Sequence, residues 1–487
     1  MFQEVRRQIA LVCVVSLLGA TQSTCASRQA TLPRTQPTPE VFEPLQADLR
    51  KSYLELFETA SKLEYSTAQI ERMRGYLREA QCYCSARFAD SAKTYEHEVS
   101  TAQDGLKKSG ITDAERHDLH CRIQDKLSLK SQAEVIAKHA IPVAYDNKLA
   151  KLDLIEHWPA EQKRIRESIA SGSYRNRPWA DVEDIGFRKI EPNQKDDIKM
   201  GQDAIKEMKI AGLMLRELDN EEVNRYVRNL AAKITPNTDL QVPLQVTVLD
   251  SREVNAFALP GGFVYIERGL LEAVEDESQL AGVISHELSH VVLRHGHKLM
   301  RRATIAAIIY QAAQVAAVIA TGGVIGIGTY YALQYGFFGL GLTLNLALIG
   351  VSREFEKEAD TLGIQYAWKS GYDPGGFVRF FDKMATKEGY VNGASWFRTH
   401  PPFYDRMVGS QREQMYLGRK PEAVLNTTEF ARMKEALKTS TRKAEKEGKG
   451  KPPSLLVKEQ GCPPPPKLLY EPDKPIETIC SPQGRPQ

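Results

Sequence analysis

His286-Glu287-Leu288-Ser289-His290 is the stretch of sequence that decides the fold. Apolar residues recur around it with the spacing of a buried helix face, and Asp276 stands upstream as a candidate N-cap. On a helix, His286 and His290 lie one turn apart on one face, which is the separation that two imidazoles need to reach a single Zn²⁺. Glu287, one position around the helix, can hold the metal-bound water without binding the metal.

The third ligand of such a site does not come from the same helix. A catalytic zinc takes three protein ligands and keeps one position open. The continuation HExxHxxGxxH would add a third histidine, but its glycine and histidine positions here hold Leu293 and Gly296. His295 and His297 are out of register with that pattern, and we interpret both as polar residues at the helix end.

An acidic stretch at residues 352–360 offers a carboxylate on a second helix. Glu356 and Asp360 are spaced i and i+4, so they lie on one helical face. One of them can bind the metal while the other orients a histidine of the first helix. An isolated acidic stretch is more typical of a solvated helix face, but its position after the HExxH helix favours the metal site.

Three blocks of this sequence resemble the signature of the forty-eighth metallopeptidase family, which includes the heat-shock protease HtpX, the CAAX prenyl endopeptidases and soluble periplasmic relatives. They are the HExxH block, Ser352-Arg353-(two residues)-Glu356-(three residues)-Asp360, and His400-Pro401-Pro402-(three residues)-Arg406. A fourth block, residues 255–262, is similar to the segment that the family uses as an edge strand over its cleft. The resemblance covers residues 185–438.

The resemblance implies a zincin-like metalloprotease domain that binds one Zn²⁺ per chain. Its ligands would be His286, His290 and Glu356. Glu287 would be the catalytic base, and Asp360 and Arg406 would support the ligands from behind.

The resemblance also implies two further groups of site residues. His400 matches a histidine that occupies or shields the open metal position in some relatives, so it is a catalytic candidate that either activates or inhibits. A peptide substrate would lie extended against the edge-strand segment and add a strand by main-chain hydrogen bonds. The substrate-binding residues would be Asn255, Ala256, Phe257 and Ala258.

The pattern around these blocks predicts an α+β fold that is mostly helical. Alternating residues predict a strand at 244–249 and another at 263–266, neighbours in a small sheet, with an extended segment at 255–259 between them. Upstream, apolar residues repeat every seven positions from Leu49 to Leu77 and predict one long amphipathic helix with coiled-coil character. With two further helical stretches it forms a predicted helical arm at residues 43–172, a spacer or a docking site for a partner protein.

The N-terminus has the layout of a secretory signal peptide. Arg6 and Arg7 precede an apolar run, residues 9–20, and small residues follow up to Ala26. The predicted domains are the signal peptide at 1–26, a linker at 27–44, the arm, the protease domain at 185–438 and a disordered Lys- and Pro-rich tail at 439–487. We expect an exported protein of the periplasm or cell envelope; acylation of Cys25 is the weaker alternative to cleavage.

Cysteine usage agrees with an oxidising compartment. We expect a disulfide from Cys82 or Cys84 to Cys121, while Cys462 and Cys480 flank a proline-rich tail that they could close.

The amount and distribution of charge bear on whether the partner is nucleic acid or a membrane. Over 487 residues the net charge is only +3, which gives no electrostatic case for nucleic acid. Residues 303–352 contain no Lys, Arg, Asp or Glu. By length this stretch could be a transmembrane hairpin, but its glycine, glutamine and asparagine content favours buried or membrane-surface helices that shape the cleft.

The sequence therefore predicts a zinc-dependent endopeptidase that cleaves extended or misfolded protein segments in the cell envelope. The alternative is a zinc-containing, chaperone-like binding protein that acts through the helical arm. A zinc hydrolase of non-peptide substrates is disfavoured by the edge-strand segment.

Overall fold

The structure is a computed structural model that describes residues 43–188, 190, 195–210, 214–300, 353–387, 404–418, 420–446 and 462. The predicted signal peptide, almost all of the predicted linker, the charge-free stretch and His400 lie outside the described residues. None of the helices in the described part of the chain combines the length and the apolarity needed to cross a membrane.

The described elements confirm a mostly helical α+β fold. In the first part of the chain the helices are α1 (Glu43–Arg50), α2 (Tyr53–Thr59), α3 (Thr67–Leu106), α4 (Asp113–Val135) and α5 (Ile141–Ser171). They are followed by α6 (Lys195–Ile210), α7 (Glu221–Ile234), β1 (Gln245–Leu249), β2 (Ala256–Leu259), β3 (Phe263–Glu267), α8 (Arg268–Ala273), α9 (Glu277–Val292), α10 (His295–Met300), α11 (Arg353–Lys369), α12 (Gly375–Lys387), α13 (Tyr404–Leu417) and α14 (Thr428–Lys446).

The chain divides into two compact units that interleave along the sequence. Among the described residues, the first unit comprises 43–47 and 65–149, and the second comprises 48–64 and the residues from 150 to 462. The domain limits predicted from the sequence remain predictions.

The first unit is built on a helical hairpin of α3 and α4. Thr112 starts α4 with a capping box, because its hydroxyl accepts from Glu115 N–H while the Glu115 carboxylate accepts from Thr112 N–H. Lys130 forms an ion pair of 2.6 Å with Glu96 across the hairpin. Among the described residues, Cys82, Cys84, Cys121 and Cys462 are disulfide-bonded. The expected pairing to Cys121 remains a prediction.

The predicted single helix from Leu49 to Leu77 is wrong in its first half. The chain forms α1, α2 and a 3-10 turn at Ala60–Lys62 before the long helix α3 begins. The reason is that Ser52 and Ser66 each form a capping box, with Glu55 and Gln69. These side chains satisfy the first N–H groups of a new helix, so the chain restarts twice within an unbroken heptad pattern.

The second unit contains a three-stranded sheet with the order β1-β3-β2. β1 is parallel to β3, and β2 is antiparallel to it, so the two predicted strands are neighbours as expected. The extended segment at 255–259 contains the strand β2, which lies at an edge of this sheet. Phe257 and Tyr265 lie on the sheet face that packs against Ile205 and Met208 of α6, and the helix α9 also packs against β2.

The turn between β2 and β3 lies directly on α6. A Cβ atom on Gly201 of α6 would come within 2.0 Å of the carbonyl oxygen of Pro260. Gly261 has a φ of +85°, and a Cβ there would come within 2.4 Å of Ile198 Cα. Glycine on both sides therefore lets the two backbones approach and fixes the end of β2.

Candidate metal centre

The HExxH block lies on α9, a helix whose residues are all buried. Asp276 is its N-cap, as predicted, and its carboxylate accepts a hydrogen bond of 2.9 Å from Gln279 N–H. α9 packs against β2, α11 and α12. These contacts hold the helix on all sides, so its polar side chains can be kept at fixed positions within the core.

Three side chains of the second unit bring ligand atoms together at one point. His286 Nε2 lies 3.0 Å from His290 Nε2. Glu356 Oε2 lies 3.6 Å from the first of these atoms, and Glu356 Oε1 lies 3.4 Å from the second. All three residues are buried.

The donor set fits a zinc ion. Zn²⁺ bonds of about 2.0–2.1 Å at tetrahedral angles place neighbouring ligand atoms about 3.4 Å apart, close to the three distances observed. Two imidazoles and one carboxylate are also ligands that zinc prefers. Burial lowers the pKa of His286, but Asp360 and Glu356 outweigh that effect and raise the pKa above its usual value, so the pocket attracts positive charge.

Asp360 and Arg406 lie directly behind the ligands. Asp360 Oδ1 lies 3.0 Å from His286 Nδ1, the ring nitrogen that faces away from the cluster. Arg406 Nη1 lies 2.8 Å from Glu356 Oε2. Burial raises the pKa of Asp360, but the guanidinium of Arg406 and the ring of His286 lower it by more than burial raises it. The pKa therefore lies below its ordinary value. An ionised Asp360 can therefore fix the orientation of His286.

An aromatic ring supports His286 from the other side. Phe377 of α12 stacks on the imidazole, with centroids 5.1 Å apart and an interplanar angle of 16°. Gly282 makes room for it, because a Cβ at that position would come within 2.7 Å of Phe377 Cβ.

One buried residue of the site was missed by the sequence analysis. His295, interpreted as a polar residue at the helix end, is fully buried, and its Nδ1 lies 2.9 Å from Nδ1 of His290. α9 ends at Val292, and Arg294 takes a left-handed conformation with a φ of +57° before α10 begins. Leu293 and Arg294 form a turn, so helical spacing does not apply across it. His297 lies beside Asp197 instead, at 2.5 Å.

The other predicted site residues have the following positions. Glu287 is buried on α9 beside the ligands. Asn255 precedes β2, and its Nδ2 donates a hydrogen bond of 3.3 Å to Glu267 Oε1. Ala256, Phe257 and Ala258 form the first three residues of β2. The predicted roles of all these residues, and of His400, remain predictions.

An HExxH helix, a carboxylate from a later helix and a small sheet beside them define the zincin-like metalloprotease fold. Residues 217–411 match the sequence profile of Peptidase family M48. The chain belongs to this family.

Relatives named as metalloproteases or other proteases agree with this assignment. "Metalloprotease YcaL" of Escherichia coli (strain K12) is 32% identical over 186 residues, which cover 38% of this chain and 68% of that protein. "Beta-barrel assembly-enhancing protease" of Yersinia pestis is 29% identical over 219 residues, covering 44% of this chain and 43% of that protein. "Mitochondrial metalloendopeptidase OMA1" of Schizosaccharomyces pombe is 29% identical over 181 residues, covering 37% and 48%. The matched region thus spans less than half the length of the latter two.

Proposed function

We propose that this protein is a zinc-dependent endopeptidase that cleaves extended or misfolded protein segments in the cell envelope. The observation that carries the proposal is the convergence of His286, His290 and Glu356 with tetrahedral spacing, with Glu287 on the same helix. One Zn²⁺ per chain would bind to these three residues.

Each residue around the metal position has a separate task in the proposed reaction. Zn²⁺ bound there would lower the pKa of a water molecule and polarise the scissile carbonyl. Glu287 accepts the proton of the attacking water and passes it to the leaving amine. Asp360 lies 3.0 Å from Nδ1 of His286 and favours a proton on that nitrogen, so that the lone pair of Nε2 points to the ligand cluster. His400 is a further candidate for stabilising the oxyanion or for blocking the open position.

The edge of β2 is the proposed binding site for the peptide. Glu267 N–H donates to Asn255 O, so Asn255 and Glu267 are a hydrogen-bonded pair of the antiparallel ladder. Hydrogen-bonded pairs alternate with non-bonded ones, so the next bonded pair is Phe257 with Tyr265. The backbone N–H and C=O of Ala258 then point away from β3, toward the outer edge. A substrate strand added there would be held mainly by main-chain bonds, which predicts broad sequence tolerance and a preference for unfolded segments.

The proposed location and partners follow from the sequence and from the names of the relatives. The predicted signal peptide, the disulfide-bonded cysteines and a relative named as a beta-barrel assembly-enhancing protease support an exported envelope protein. The predicted helical arm at residues 43–172 lies outside the region that matches the family, and we propose it as a docking site for a partner protein. Residues 303–352 are the proposed contact with the membrane surface.

The decisive test compares Glu287→Gln with wild type on an unfolded substrate such as casein. We expect cleavage to be lost while one zinc per chain is retained, because the substitution keeps the size of the side chain but removes the base. Glu354→Gln is the matched control, since Glu354 is an exposed carboxylate on α11. If the Glu287 variant cleaves casein at the wild-type rate, the proposed mechanism is wrong.

A zinc-loaded wild type that cleaves no polypeptide would instead favour the binding protein. In that case Glu287→Gln would still complement a deletion strain.

A further inference from the structure

We infer that His295 and Glu358 form a hydrogen-bonded pair that orients the ligand His290 and strengthens metal binding. This inference rests on the proposed function, because it assigns a role in holding the same zinc. The pair acts on His290 as Asp360 acts on His286, but through an additional imidazole.

The contacts form a continuous line from the ligand to a carboxylate. His295 Nδ1 lies 2.9 Å from His290 Nδ1, and His295 Nε2 lies 3.2 Å from Glu358 Oε2. The ring of His295 is fully buried and stacks on Phe355, with centroids 4.2 Å apart and an interplanar angle of 8°. Both nitrogens of His295 therefore have partners, and its ring plane is fixed by stacking.

The positions of the protons follow from the geometry. His290 Nε2 faces the ligand cluster, so its lone pair must be available to the metal and the ring proton must be on Nδ1. Two Nδ1 atoms 2.9 Å apart cannot form a hydrogen bond if both carry a proton, so Nδ1 of His295 is the acceptor. The proton of His295 is then on Nε2, where it donates to Glu358. With the lone pair of His290 Nε2 kept for the metal, this is the arrangement of neutral tautomers that satisfies both contacts of His295.

The two histidine ligands are thus supported differently. The carboxylate of Asp360 is buried and lies directly against His286. The carboxylate of Glu358 is 42% exposed and contacts His290 only indirectly, through the neutral ring of His295. Water weakens a partly exposed charge, so we expect His295, the direct acceptor, to contribute more to metal affinity than Glu358.

A second ion pair fixes the turn that brings His295 to this position. Arg294, in its left-handed conformation, donates from Nε and Nη2 to the two carboxylate oxygens of Asp197, both at 2.8 Å. Asp197 is buried at the start of α6. The turn between α9 and α10 is therefore fixed by an ion pair with α6, and this contact helps to hold His295 in position.

The test measures zinc affinity of the full-length apoprotein by competition with a chelator. His295→Phe keeps the aromatic stacking but removes the acceptor, and we expect zinc affinity to fall about 10- to 100-fold. His295→Asn places an amide oxygen near the position of Nδ1 and should recover part of that loss. Glu358→Gln should weaken binding less, and Glu354→Gln, which removes an exposed charge four residues earlier, should leave it unchanged.

A spectroscopic measurement tests the tautomers independently of affinity. In ¹⁵N NMR spectra of the zinc-loaded protein, His295 should carry its proton on Nε2 and His290 on Nδ1. A proton on Nδ1 of His295 would overturn the inference. So would wild-type affinity in His295→Asn, Glu358→Gln and, where it folds, His295→Phe.

Failure of the proposed function has a different signature. If wild type itself binds no stoichiometric zinc, the metal site is wrong and the inference falls with it. If wild type binds one zinc and every variant binds it equally well, only the role of His295 and Glu358 is wrong.

Discussion

Arg406 donates two hydrogen bonds of 2.6 Å to Asp360, from Nε to Oδ2 and from Nη2 to Oδ1. Its third nitrogen lies 2.8 Å from Glu356. One buried guanidinium on α13 therefore pairs with both the proposed carboxylate ligand and the carboxylate beside His286. Three helices, α9, α11 and α13, meet in this charge network, so the metal centre and the core of the second unit have the same support.

Replacing Arg406 should destabilise the protein and weaken metal binding together. Arg406→Met leaves two buried carboxylates without their cation, and breaking such a pair costs about 3–5 kcal/mol. Arg406→Lys keeps the charge but not the two-pronged geometry, so we expect a smaller loss. Urea unfolding of the apoprotein and zinc competition measure the two effects. Arg412→Met, on the same helix but 43% exposed, should change stability by less than about 1 kcal/mol; equal losses in both variants would contradict the prediction.

The cluster of candidate ligands could be predicted from the sequence because its main parts obey helical spacing. His286, His290 and Asp276 lie on one helix, and Glu356 and Asp360 lie one turn apart on another. Each helix can therefore be read without knowledge of tertiary structure. The resemblance to the family supplied Arg406, which no local pattern connects to the other residues.

His295 could not be found in this way. On a continuous helix, five residues after His290 would point to a different face. The left-handed conformation of Arg294 breaks the helix, and a non-glycine residue gives no sequence signal for such a break. The heptad pattern failed for a similar reason, because the capping box at Ser66 restarts the helix while the apolar repeat continues.

The edge of β2 can be tested with a substitution that removes one backbone donor. Ala258→Pro eliminates an N–H that points away from β3, so the sheet keeps its internal hydrogen bonds. We expect KM for an extended peptide to rise several-fold, with kcat and zinc content little changed. Ala258→Val keeps the N–H and adds a volume similar to that of proline, so it distinguishes the loss of the donor from the added bulk. If Ala258→Val raises KM as Ala258→Pro does, the result would argue against strand addition.

Asp382 should make stability depend on pH. Burial raises the pKa of Asp382, and the hydrogen bond from Tyr53 N–H, of 2.9 Å, only partly offsets this. The folded state therefore holds the proton more tightly than the unfolded state, in which the pKa is about 3.9. Stability from this group is greatest below that value and is lost as pH rises through the folded pKa.

Comparison with Asp382→Asn isolates this contribution. We expect the variant to gain stability relative to wild type as the pH rises above the unfolded-state pKa, as measured by urea unfolding across the acidic range. Asp203 is an exposed residue of α6, so the stability of Asp203→Asn should change with pH in the same way as that of wild type. If the stability of Asp382→Asn also changes in that way, the carboxyl group does not titrate differently in the two states.

The contact between α6 and the turn after β2 should tolerate no side chain at Gly201. In Gly201→Ala the new Cβ would lie 2.0 Å from the carbonyl oxygen of Pro260. Pro260 directly follows β2, so its backbone cannot move away from the new methyl group without moving β2 as well. We expect a loss of about 1–3 kcal/mol in the free energy of unfolding. Because the turn fixes the end of the proposed peptide-binding strand, KM for an extended peptide should rise as well.

A second glycine in the same unit provides the control for that prediction. Gly409 lies within α13, and a Cβ there would meet no atom within 4 Å. Gly409→Ala should therefore stabilise the helix by about 0.5–1 kcal/mol, since alanine loses less backbone entropy on folding. Opposite signs for the two substitutions, measured by the same urea titration, identify the close approach at Pro260 as the cause. Equal effects would mean that α6 and the turn can separate without cost to the sheet.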